Sequence, residues 1–406
     1  MMRATLTARH RALLILSFGL LLLGAREACA ATAATTSAAA GATAPRGDRA
    51  FIVGGDISTL PELEKAGAVY RDNGRPADAI AILRGRGFNL FRVRLFVNPN
   101  PNYAATGGAT QDLAYVRALA KRIKQSGAAL MLDFHYSDTW ADPAKQYKPA
   151  AWKDLDFDAL ERKVHDYTAE VLRDLRQDGI VPEMVQVGNE IASGMIWPDG
   201  KVSGAKPPDD ARQWERFARL IKAGVKAVRA AQTDGPPIRV MLHIHGGGRA
   251  GLPKWFFEKL RPHDVDFDVV GLSFYPAWDD TLDALKQNMA DLVQGWGKDV
   301  LIAEASYPWQ TLPDVQKPAL TWPQTPQGQR QFVQEMVAAL RAVPDGRGIG
   351  FVWWYPEATP VRGLRVWREG REGLFDAEGN PQPSLDLFKP EQPATQAADA
   401  PGASPK

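Results

Sequence analysis

Short apolar runs alternate along this chain with longer segments in which apolar residues recur every three or four positions. The short runs predict eight β-strands, at residues 51–57, 89–96, 129–134, 184–188, 239–244, 268–274, 300–303 and 348–354. The longer segments predict helices at residues 113–125, 160–177, 214–231, 282–297 and 329–343. Eight strands with helices between them favour an α/β fold, a single (β/α)8 TIM barrel, over a doubly wound sheet.

Both ends of the chain differ in composition from the segment between them. Residues 1–30 place Arg3, Arg9 and Arg11 before an apolar run and end in Ala28-Cys29-Ala30, which is the pattern of a cleaved signal peptide. Residues 31–47 are rich in Ala and Thr, and residues 390–406 are rich in Pro, Ala and Gln, so both predict disorder. The sequence therefore predicts a signal peptide, a linker, a barrel over residues 48–389 and a disordered tail, in a secreted or periplasmic protein.

Cleavage after Ala30 changes the charge and the cysteine content of the chain. It removes four arginines, one glutamate and the only cysteine, so the formal net charge falls from +2 to −1. No disulfide can then form, and no global positive field favours nucleic acid. We therefore expect no nucleic-acid partner and no membrane attachment after cleavage.

Two carboxylates follow predicted strands directly. The fourth predicted strand ends in Gly188-Asn189-Glu190, and the seventh is followed by Glu304. Since the functional site of a (β/α)8 barrel lies at the carboxyl ends of its strands, both side chains should reach the same mouth. Cleavage of a glycosidic bond needs one proton donor and one carboxylate, which this pair could supply. The alternative is that either glutamate is a solvated loop residue or a helix cap.

Other polar and aromatic residues occupy the same ends of the predicted strands. Candidate site residues among them are Arg92, Asp133, His135, Trp140, His243, Tyr275 and Trp354. Arg92 and Arg94 are two residues apart and therefore lie on the same face of a strand. There they could support catalysis or only neutralise interior carboxylates. The histidines could be structural and the tryptophans could be core. However, Trp140, Trp197, Trp278, Trp309 and Trp354 all follow strands, where flat rings suit the apolar faces of sugars.

A metal site is the main rival chemistry. His243 and His245 have ligand-like spacing at one strand end, and His135 could join them. The chain has six histidines, and few others are placed to complete a site. Gly246-Gly247-Gly248 lacks the Lys-Ser/Thr of a P-loop, so it indicates a flexible turn and not a phosphate site.

Several motifs together resemble one family of glycosidases. The first three are Gly54-Gly55-Asp56-Ile57-Ser58, Gly87-Phe88-Asn89 leading into Arg92-Val93-Arg94, and LDFHYSDTWADP at residues 132–143. The others are VGNEI at residues 187–191, GMIWPDG at 194–200, GLSFYP at 271–276 and IAE at 302–304 in the seventh strand. On these motifs the chain resembles glycoside hydrolase family 53, the endo-β-1,4-galactanases, over about residues 51 to 388. The run at residues 132–143 is the most specific of them.

The resemblance implies roles for individual residues. Glu190 would be the acid/base and Glu304 the nucleophile of an endo-acting, retaining hydrolase of β-1,4-galactan, the polymer of type I arabinogalactan in the side chains of pectin. Asn189 would bond the sugar 2-hydroxyl, Arg92 would keep Glu304 ionised, and Tyr275 would bond the same nucleophile. His135 and Trp354 would form the sugar site at the point of cleavage, with Asp133, Trp140 and His243 as binding or supporting residues. No cofactor would be required, although some members of the family carry a structural calcium.

The chain departs from the family pattern in two places. After the fifth strand, His-x-Asp-Asn-Gly becomes His243-Ile244-His245-Gly246-Gly247, and on the eighth, Trp-Glu-Pro becomes Trp354-Tyr355-Pro356 with Glu357 displaced. Both changes fall where sugar-binding loops should lie. They leave open the choice of polymer, so that a retaining enzyme for mannan or glucan is an alternative. A carbohydrate-binding barrel without turnover is a separate alternative, against which the intact Glu190 and Glu304 argue. The expected partner is a polysaccharide, and the expected state is a monomer.

Overall fold

The computed structural model describes residues 50–202, 209–232, 235–278, 280–313 and 320–389. The predicted signal peptide, linker and C-terminal tail lie outside these residues. Eight parallel strands close into a barrel in the order β1-β8-β7-β6-β5-β4-β3-β2. They are β1 (Ile52–Asp56), β2 (Leu90–Leu95), β3 (Ala129–Phe134), β4 (Met184–Val187), β5 (Arg239–Ile244), β6 (Val269–Phe274), β7 (Asp299–Ala305) and β8 (Gly348–Trp354). All eight predicted strands are present, and the predicted (β/α)8 barrel is confirmed.

Helices connect the strands along the outside of the barrel. They are α1 (Leu60–Lys65), α2 (Ala79–Gly85), α3 (Tyr103–Thr106), α4 (Leu113–Gln125), α5 (Phe157–Gln177), α6 (Asp209–Ala230), α7 (Leu252–Leu260), α8 (Leu282–Trp296) and α9 (Pro326–Arg341). Local sequence fixes where several begin, because Asp112, Asp156 and Thr281 each accept a hydrogen bond from the backbone N–H three residues later. The five predicted helices are present.

Shorter elements complete the chain, and the sequence pattern did not predict them. Helices α1, α2, α3 and α7 have four to nine residues, too few for a clear helical period. Two small strand pairs join Arg71–Asp72 to Arg75–Pro76 and Gly194–Met195 to Gly200–Lys201. After β8, the part of the chain that the structure describes forms 3₁₀ turns at Trp367–Gly370 and Pro383–Phe388 and no α-helix. None of the described helices is both long and apolar enough to cross a bilayer.

The barrel interior is apolar at one level and polar at the next. Side chains from seven strands form an apolar interior cluster, which contains Leu90, Met131, Met184, Met241, Val269, Leu301, Ala303 and Val352. Because side chains alternate between the two faces of a strand, the residues two positions further along β2 to β5 face the same interior. Those residues are Arg92, Asp133, Gln186 and His243, and all four are fully buried. The fold therefore puts polar groups at the carboxyl ends of the strands, over an apolar floor.

A β-bulge in β7 brings its carboxylate into the interior. Opposite β6, Leu272 pairs with Ile302 but Ser273 pairs with Glu304, so Ala303 is the extra residue. Ala303 packs in the apolar interior cluster, and strict alternation would turn the next side chain outwards. The bulge resets the alternation, so that Ala303 and Glu304 both face inwards.

Candidate active site

Glu190 lies in a tight turn directly after β4. Gly188 and Glu190 both have left-handed backbone angles, with φ of 82° and 48°, which is uncommon for a glutamate and indicates a backbone held by its surroundings. The side chain is 9% exposed, and its Oε1 accepts a hydrogen bond of 2.7 Å from the Ser273 hydroxyl on β6. Glu190 is thus enclosed next to a neutral donor.

Glu304 reaches the same interior from β7 but meets different partners. Its Oε1 accepts a 2.6 Å bond from Arg92 Nη2, and its Oε2 accepts a 2.9 Å bond from the Tyr275 hydroxyl. The residue is 5% exposed. Both oxygens of Glu304 are therefore held, one of them by a cation.

The Arg92 guanidinium is held by three different strands. In addition to Glu304, it donates from Nε to Asp56 Oδ2 at 2.8 Å and from Nη1 to Gln186 Oε1 at 3.3 Å. Asp56 also accepts from Arg94 Nη1 at 2.9 Å and from the Ser58 hydroxyl at 2.6 Å. Arg92, Arg94 and Asp56 are fully buried, so each charge has a direct counter-charge where water does not reach.

The surroundings separate the two glutamates electrostatically. Burial raises the pKa of Glu190 well above its usual range, and the negative charge of Glu304 raises it further, against the bond from Ser273. Burial also raises the pKa of Glu304, but the charge of Arg92 and the bonds from Arg92 and Tyr275 oppose that rise. Burial and the charge of Glu304 keep the pKa of Tyr275 well above its usual range, so its hydroxyl remains a donor. Glu190 is therefore the better placed of the two carboxyl groups to hold a proton.

Asn189 and His243 belong to a buried cluster of amide and imidazole groups next to Glu190. Asn189 Nδ2 donates to the Ala141 carbonyl at 2.9 Å, while its Oδ1 accepts from Gln186 Nε2 at 2.9 Å. His243 Nδ1 is 3.1 Å from Gln186 Nε2 and 3.0 Å from Asn189 Oδ1, and its Nε2 is 2.9 Å from the Ser273 oxygen. Burial and the charge of Arg92 hold the pKa of His243 well below its usual range, so the ring is neutral.

Asp133 and His135 are buried on and just after β3. His135 Nδ1 accepts a 3.2 Å bond from the Ala141 N–H, and its Nε2 lies 3.1 Å from Asp133 Oδ2. The two atoms are close enough for a polar contact, but their geometry does not make a hydrogen bond. Neither Asp133 oxygen has a hydrogen-bond partner among the described residues. The His135 ring packs at 4.6 Å from Phe96 and 6.0 Å from Trp140.

An aromatic wall surrounds Arg94 on the other side of the mouth. The guanidinium carbon lies 4.6 Å from the Trp140 ring, 4.9 Å from Tyr355 and 5.2 Å from Trp354, within cation–π range. Arg94 Nη2 also donates to the Tyr355 hydroxyl at 2.7 Å. Tyr355, where the chain departs from the family pattern, is therefore a packed and hydrogen-bonded part of this wall.

Glu357, the glutamate displaced from the family position, is fully buried and accepts a 3.3 Å bond from the Thr59 N–H. Burial raises its pKa well above its usual range.

A second group of aromatic rings leads away from Glu304. The Tyr275 ring lies 5.8 Å from Trp278, which is 47% exposed, and Trp278 lies 6.2 Å from Trp367 in the loop after β8. Trp367 Nε1 donates to Glu372 at 3.0 Å, and this bond holds the indole from behind. We call Tyr275, Trp278 and Trp367 the aromatic ledge. It extends from the nucleophile candidate towards solvent.

The remaining predicted residues lie in the surrounding loops. His245 follows β5 and is half-buried, and burial lowers its pKa to about 4. Trp197, in the loop after β4, donates to the Ser193 carbonyl of the same loop. Trp309, in the loop after β7, donates to the Gly370 carbonyl in the loop after β8. Across the described ranges, no cluster of three or more His, Cys, Asp or Glu side chains could hold a metal ion.

Three residues that touch the site were not among the sequence candidates. They are Asp56, Gln186 and Ser273, all buried. Gln186 and Ser273 share the interior face of strands that carry Met184 and Tyr275, so period-two alternation would have found them. The sequence candidates relied on residues after the strand ends and neglected neutral side chains within the strands.

The fold and the site together define a class of protein. A (β/α)8 barrel whose mouth encloses two carboxyl groups in unlike surroundings is the arrangement of a barrel glycosidase. The family model described as glycosyl hydrolase family 53 matches residues 52–388. The chain belongs to this family and is a glycosidase.

Individual relatives cover most of the chain. It is 34% identical over 364 residues to an arabinogalactan endo-β-1,4-galactanase of Cellvibrio japonicus, covering 86% of this chain and 93% of that protein. It is 30% identical over 384 residues to an endo-β-1,4-galactanase of Bacillus subtilis, covering 84% and 85%. The solved catalytic domain of an Ignisphaera aggregans family 53 protein superposes with a TM-score of 0.75 at 32% identity, over 85% of this chain and 97% of that one. A structure from a study of two fungal β-1,4-galactanases gives a TM-score of 0.72 at 30% identity, over 84% and 99%.

Proposed function

We propose that the chain is an exported endo-β-1,4-galactanase that hydrolyses galactan with retention of anomeric configuration. The observation that carries the proposal is the contrast between the two enclosed glutamates. Glu304 is held by Arg92 and Tyr275, whereas Glu190 has only a neutral donor and has a pKa well above its usual range. A nucleophile must be charged and an acid must be protonated, and these surroundings favour that division.

The proposed reaction proceeds in two steps. Glu190 gives its proton to the leaving glycosidic oxygen while a Glu304 oxygen attacks the anomeric carbon and forms a glycosyl-enzyme ester. In the second step, Glu190 takes a proton from water, and the resulting hydroxide displaces Glu304 from the same carbon. In this proposal Asn189, which precedes Glu190 in the chain, bonds the sugar 2-hydroxyl, and this bond gains importance as positive charge develops on the ring.

Substrate choice rests on the relatives and on the aromatic surfaces. The named relatives above act on galactan, and they cover most of this chain. The aromatic ledge offers flat rings at successive distances of 5.8 and 6.2 Å, which suit the apolar faces of several sugars in a chain. A surface that continues beyond the cleaved bond favours action on a polymer. A mannanase or glucanase of the same mechanism is the second candidate, because His245 and Tyr355 alter residues near the site.

Product analysis on a panel of defined polysaccharides tests the proposal. We expect short galacto-oligosaccharides from β-1,4-galactan and none from mannan or glucan, with the β-anomer appearing first in the proton NMR spectrum. Release of products from mannan or glucan alone would favour the second candidate. Binding to galactan without any product would favour a barrel that only binds carbohydrate.

Export is proposed from the sequence of residues 1–30. Expression of the full chain in a bacterial host, followed by fractionation and N-terminal sequencing, tests it. We expect a product that begins at Ala31 outside the cytoplasm. An uncleaved chain in the cytoplasm would contradict export and leave the proposed reaction untouched.

A further inference from the structure

We propose that Gln186, His243 and Ser273 are positioning residues that determine which oxygen of Glu190 carries the acidic proton. They form one hydrogen-bonded chain between the arginine that binds Glu304 and the carboxyl group of Glu190. The inference rests on the proposed function, in which Glu190 is the acid. It adds that the two catalytic carboxyl groups share a directional connection through buried neutral side chains.

The chain has four links, and each is within hydrogen-bond distance. Arg92 Nη1 is 3.3 Å from Gln186 Oε1, and Gln186 Nε2 is 3.1 Å from His243 Nδ1. His243 Nε2 is 2.9 Å from the Ser273 oxygen, which is 2.7 Å from Glu190 Oε1. The four residues that lead to Glu190 are each at most 1% exposed, so water does not compete for these bonds. They are Arg92, Gln186, His243 and Ser273.

The first link fixes the orientation of the Gln186 amide, from which the proposed direction of the other links starts. An arginine can only donate, so Gln186 must turn its oxygen to Arg92 and its NH₂ group to His243. The NH₂ group has two hydrogens and three acceptors within reach, which are Asn189 Oδ1 at 2.9 Å, His243 Nδ1 at 3.1 Å and the Gly188 carbonyl at 3.2 Å. In the proposed direction one hydrogen goes to His243 Nδ1, which accepts, and the single proton of the neutral ring is then on Nε2. Nε2 donates to the Ser273 oxygen, and the Ser273 hydroxyl is left to donate to Glu190 Oε1.

The last link decides where the acid holds its proton. Oε1 is occupied as an acceptor, so a protonated Glu190 carries its hydrogen on Oε2. Oε2 is therefore the oxygen that must face the glycosidic bond. The hydrogen bond from Ser273 to Oε1 persists when Glu190 becomes a carboxylate, so the residue changes between acid and base without rearranging its support.

The opposite direction is chemically possible but would impair the site. His243 Nδ1 also lies 3.0 Å from Asn189 Oδ1, to which an Nδ1–H group could donate. Ser273 would then donate to His243, and Glu190 could bond Ser273 only by placing its proton on Oε1, away from the substrate. Asn189 Oδ1 would already accept from both His243 and Gln186, and no lone pair would remain for the sugar 2-hydroxyl.

The tautomer of His243 tests the direction in the wild-type protein. Protein with ¹⁵N-labelled histidine imidazoles should show His243 as a neutral ring with the proton on Nε2, assigned by the signals lost in His243→Gln. A ring with its proton on Nδ1 would overturn the inference, even in an enzyme that hydrolyses galactan. A wild-type protein that fails to hydrolyse galactan would instead overturn the proposed function, whichever tautomer is found.

Leaving-group dependence tests the consequence for catalysis. Ser273→Ala and Gln186→Glu should each lower kcat/KM on galactan about tenfold or more, because protonation of the leaving oxygen is impaired. The same variants should change kcat/KM on a dinitrophenyl galactobioside about twofold or less, since kcat/KM reports formation of the glycosyl-enzyme and that leaving group needs little protonation. Ser384→Ala is the matched control, because Ser384 is also buried and donates to Gln329 at 2.6 Å, outside this chain of bonds. Equal losses on both substrates in Ser273→Ala, as a merely structural role would give, would overturn the inference.

Discussion

Glu190 and Glu304 are the same residue type at the ends of two strands of one barrel, yet their surroundings differ in one decisive respect. Glu304 meets a fully buried cation and a tyrosine hydroxyl, while Glu190 meets a serine hydroxyl that belongs to a chain of neutral groups. The difference shows that a buried site can separate two carboxyl groups by the charge of their partners. Burial alone raises the pKa of both, and only the partners distinguish them.

The largest effect is expected when the charge of Glu304 is removed. Glu304→Gln should lower kcat on galactan by about 10⁴-fold or more, because no covalent intermediate can form. Reducing-sugar release measures the loss. The control is Glu357→Gln, since burial raises the pKa of Glu357 well above its usual range and its carboxyl group accepts from the Thr59 N–H and not from a partner of either catalytic glutamate. The activity of this variant should remain near that of the wild type. Equal losses in both variants would mean that Glu304 has no special role.

The corresponding change on the Glu190 side should depend on the substrate. Glu190→Gln should lower kcat on galactan by about 10²-fold to 10⁴-fold, which is the usual contribution of a general acid. On a dinitrophenyl galactobioside, formation of the glycosyl-enzyme should be nearly unaffected, and a burst of dinitrophenol should precede a slow steady state. A variant without a burst, and equally slow on both substrates, would contradict the assignment of Glu190 as the acid.

Replacing Arg92 would make the surroundings of Glu304 more like those of Glu190, because it removes the cation that binds Glu304. The charge of Arg92 lowers the pKa of Glu304, so Arg92→Gln should raise that pKa. Glu304 must be ionised to attack, and activity is lost as the pH falls through its pKa, so the acid limb of the kcat/KM profile should move to higher pH. We expect kcat/KM at the optimum to fall by about 10²-fold, the effect of losing one charged hydrogen bond of 1.5–3 kcal/mol together with orientation. An acid limb that stays in place would mean that Arg92 does not control the ionisation of Glu304.

The smallest expected effect concerns the aromatic ledge that extends from the Glu304 side. Trp278→Ala should raise KM for polymeric galactan about fivefold, consistent with a stacking contribution near 1 kcal/mol, and leave kcat on a short aryl substrate unchanged. Trp255→Ala is the control, because Trp255 is 42% exposed on α7, on the outside of the barrel. A KM that rises equally in both variants, or in neither, would remove the ledge from substrate binding.

Much of the fold could be predicted because its signals are local and repeated. Each barrel strand is a short apolar run, and α4 and α5 are long enough to show a helical period. Helix α7 buries residues at helical spacing, from Pro253 to Leu260, but its nine residues are too few for the period to stand out in sequence. The bulge at Ala303 depends on how β7 pairs with β6 and β8, which no local pattern encodes.

The two glutamates of the site could be predicted, but not the reason that they differ. A carboxylate after a strand is visible in sequence, whereas the bonds of Ser273 and Gln186 depend on strands far apart in the chain. Asp56 was visible only as part of a motif, and its position between Arg92 and Arg94 appears when β1 and β2 pair. Tyr355, a departure from the family pattern, reaches Arg94 because β8 and β2 lie on either side of β1 in the closed barrel.

Trapping the covalent intermediate tests the central contrast most directly. A 2-deoxy-2-fluoro galactobioside with a good leaving group should form the glycosyl-enzyme quickly and release it slowly, because the fluorine destabilises the positive charge in both steps. Peptide mass spectrometry of the trapped protein should find the disaccharide on Glu304 and nowhere else. Labelling of Glu190 or another residue, or no label together with inverted products from galactan, would contradict this account.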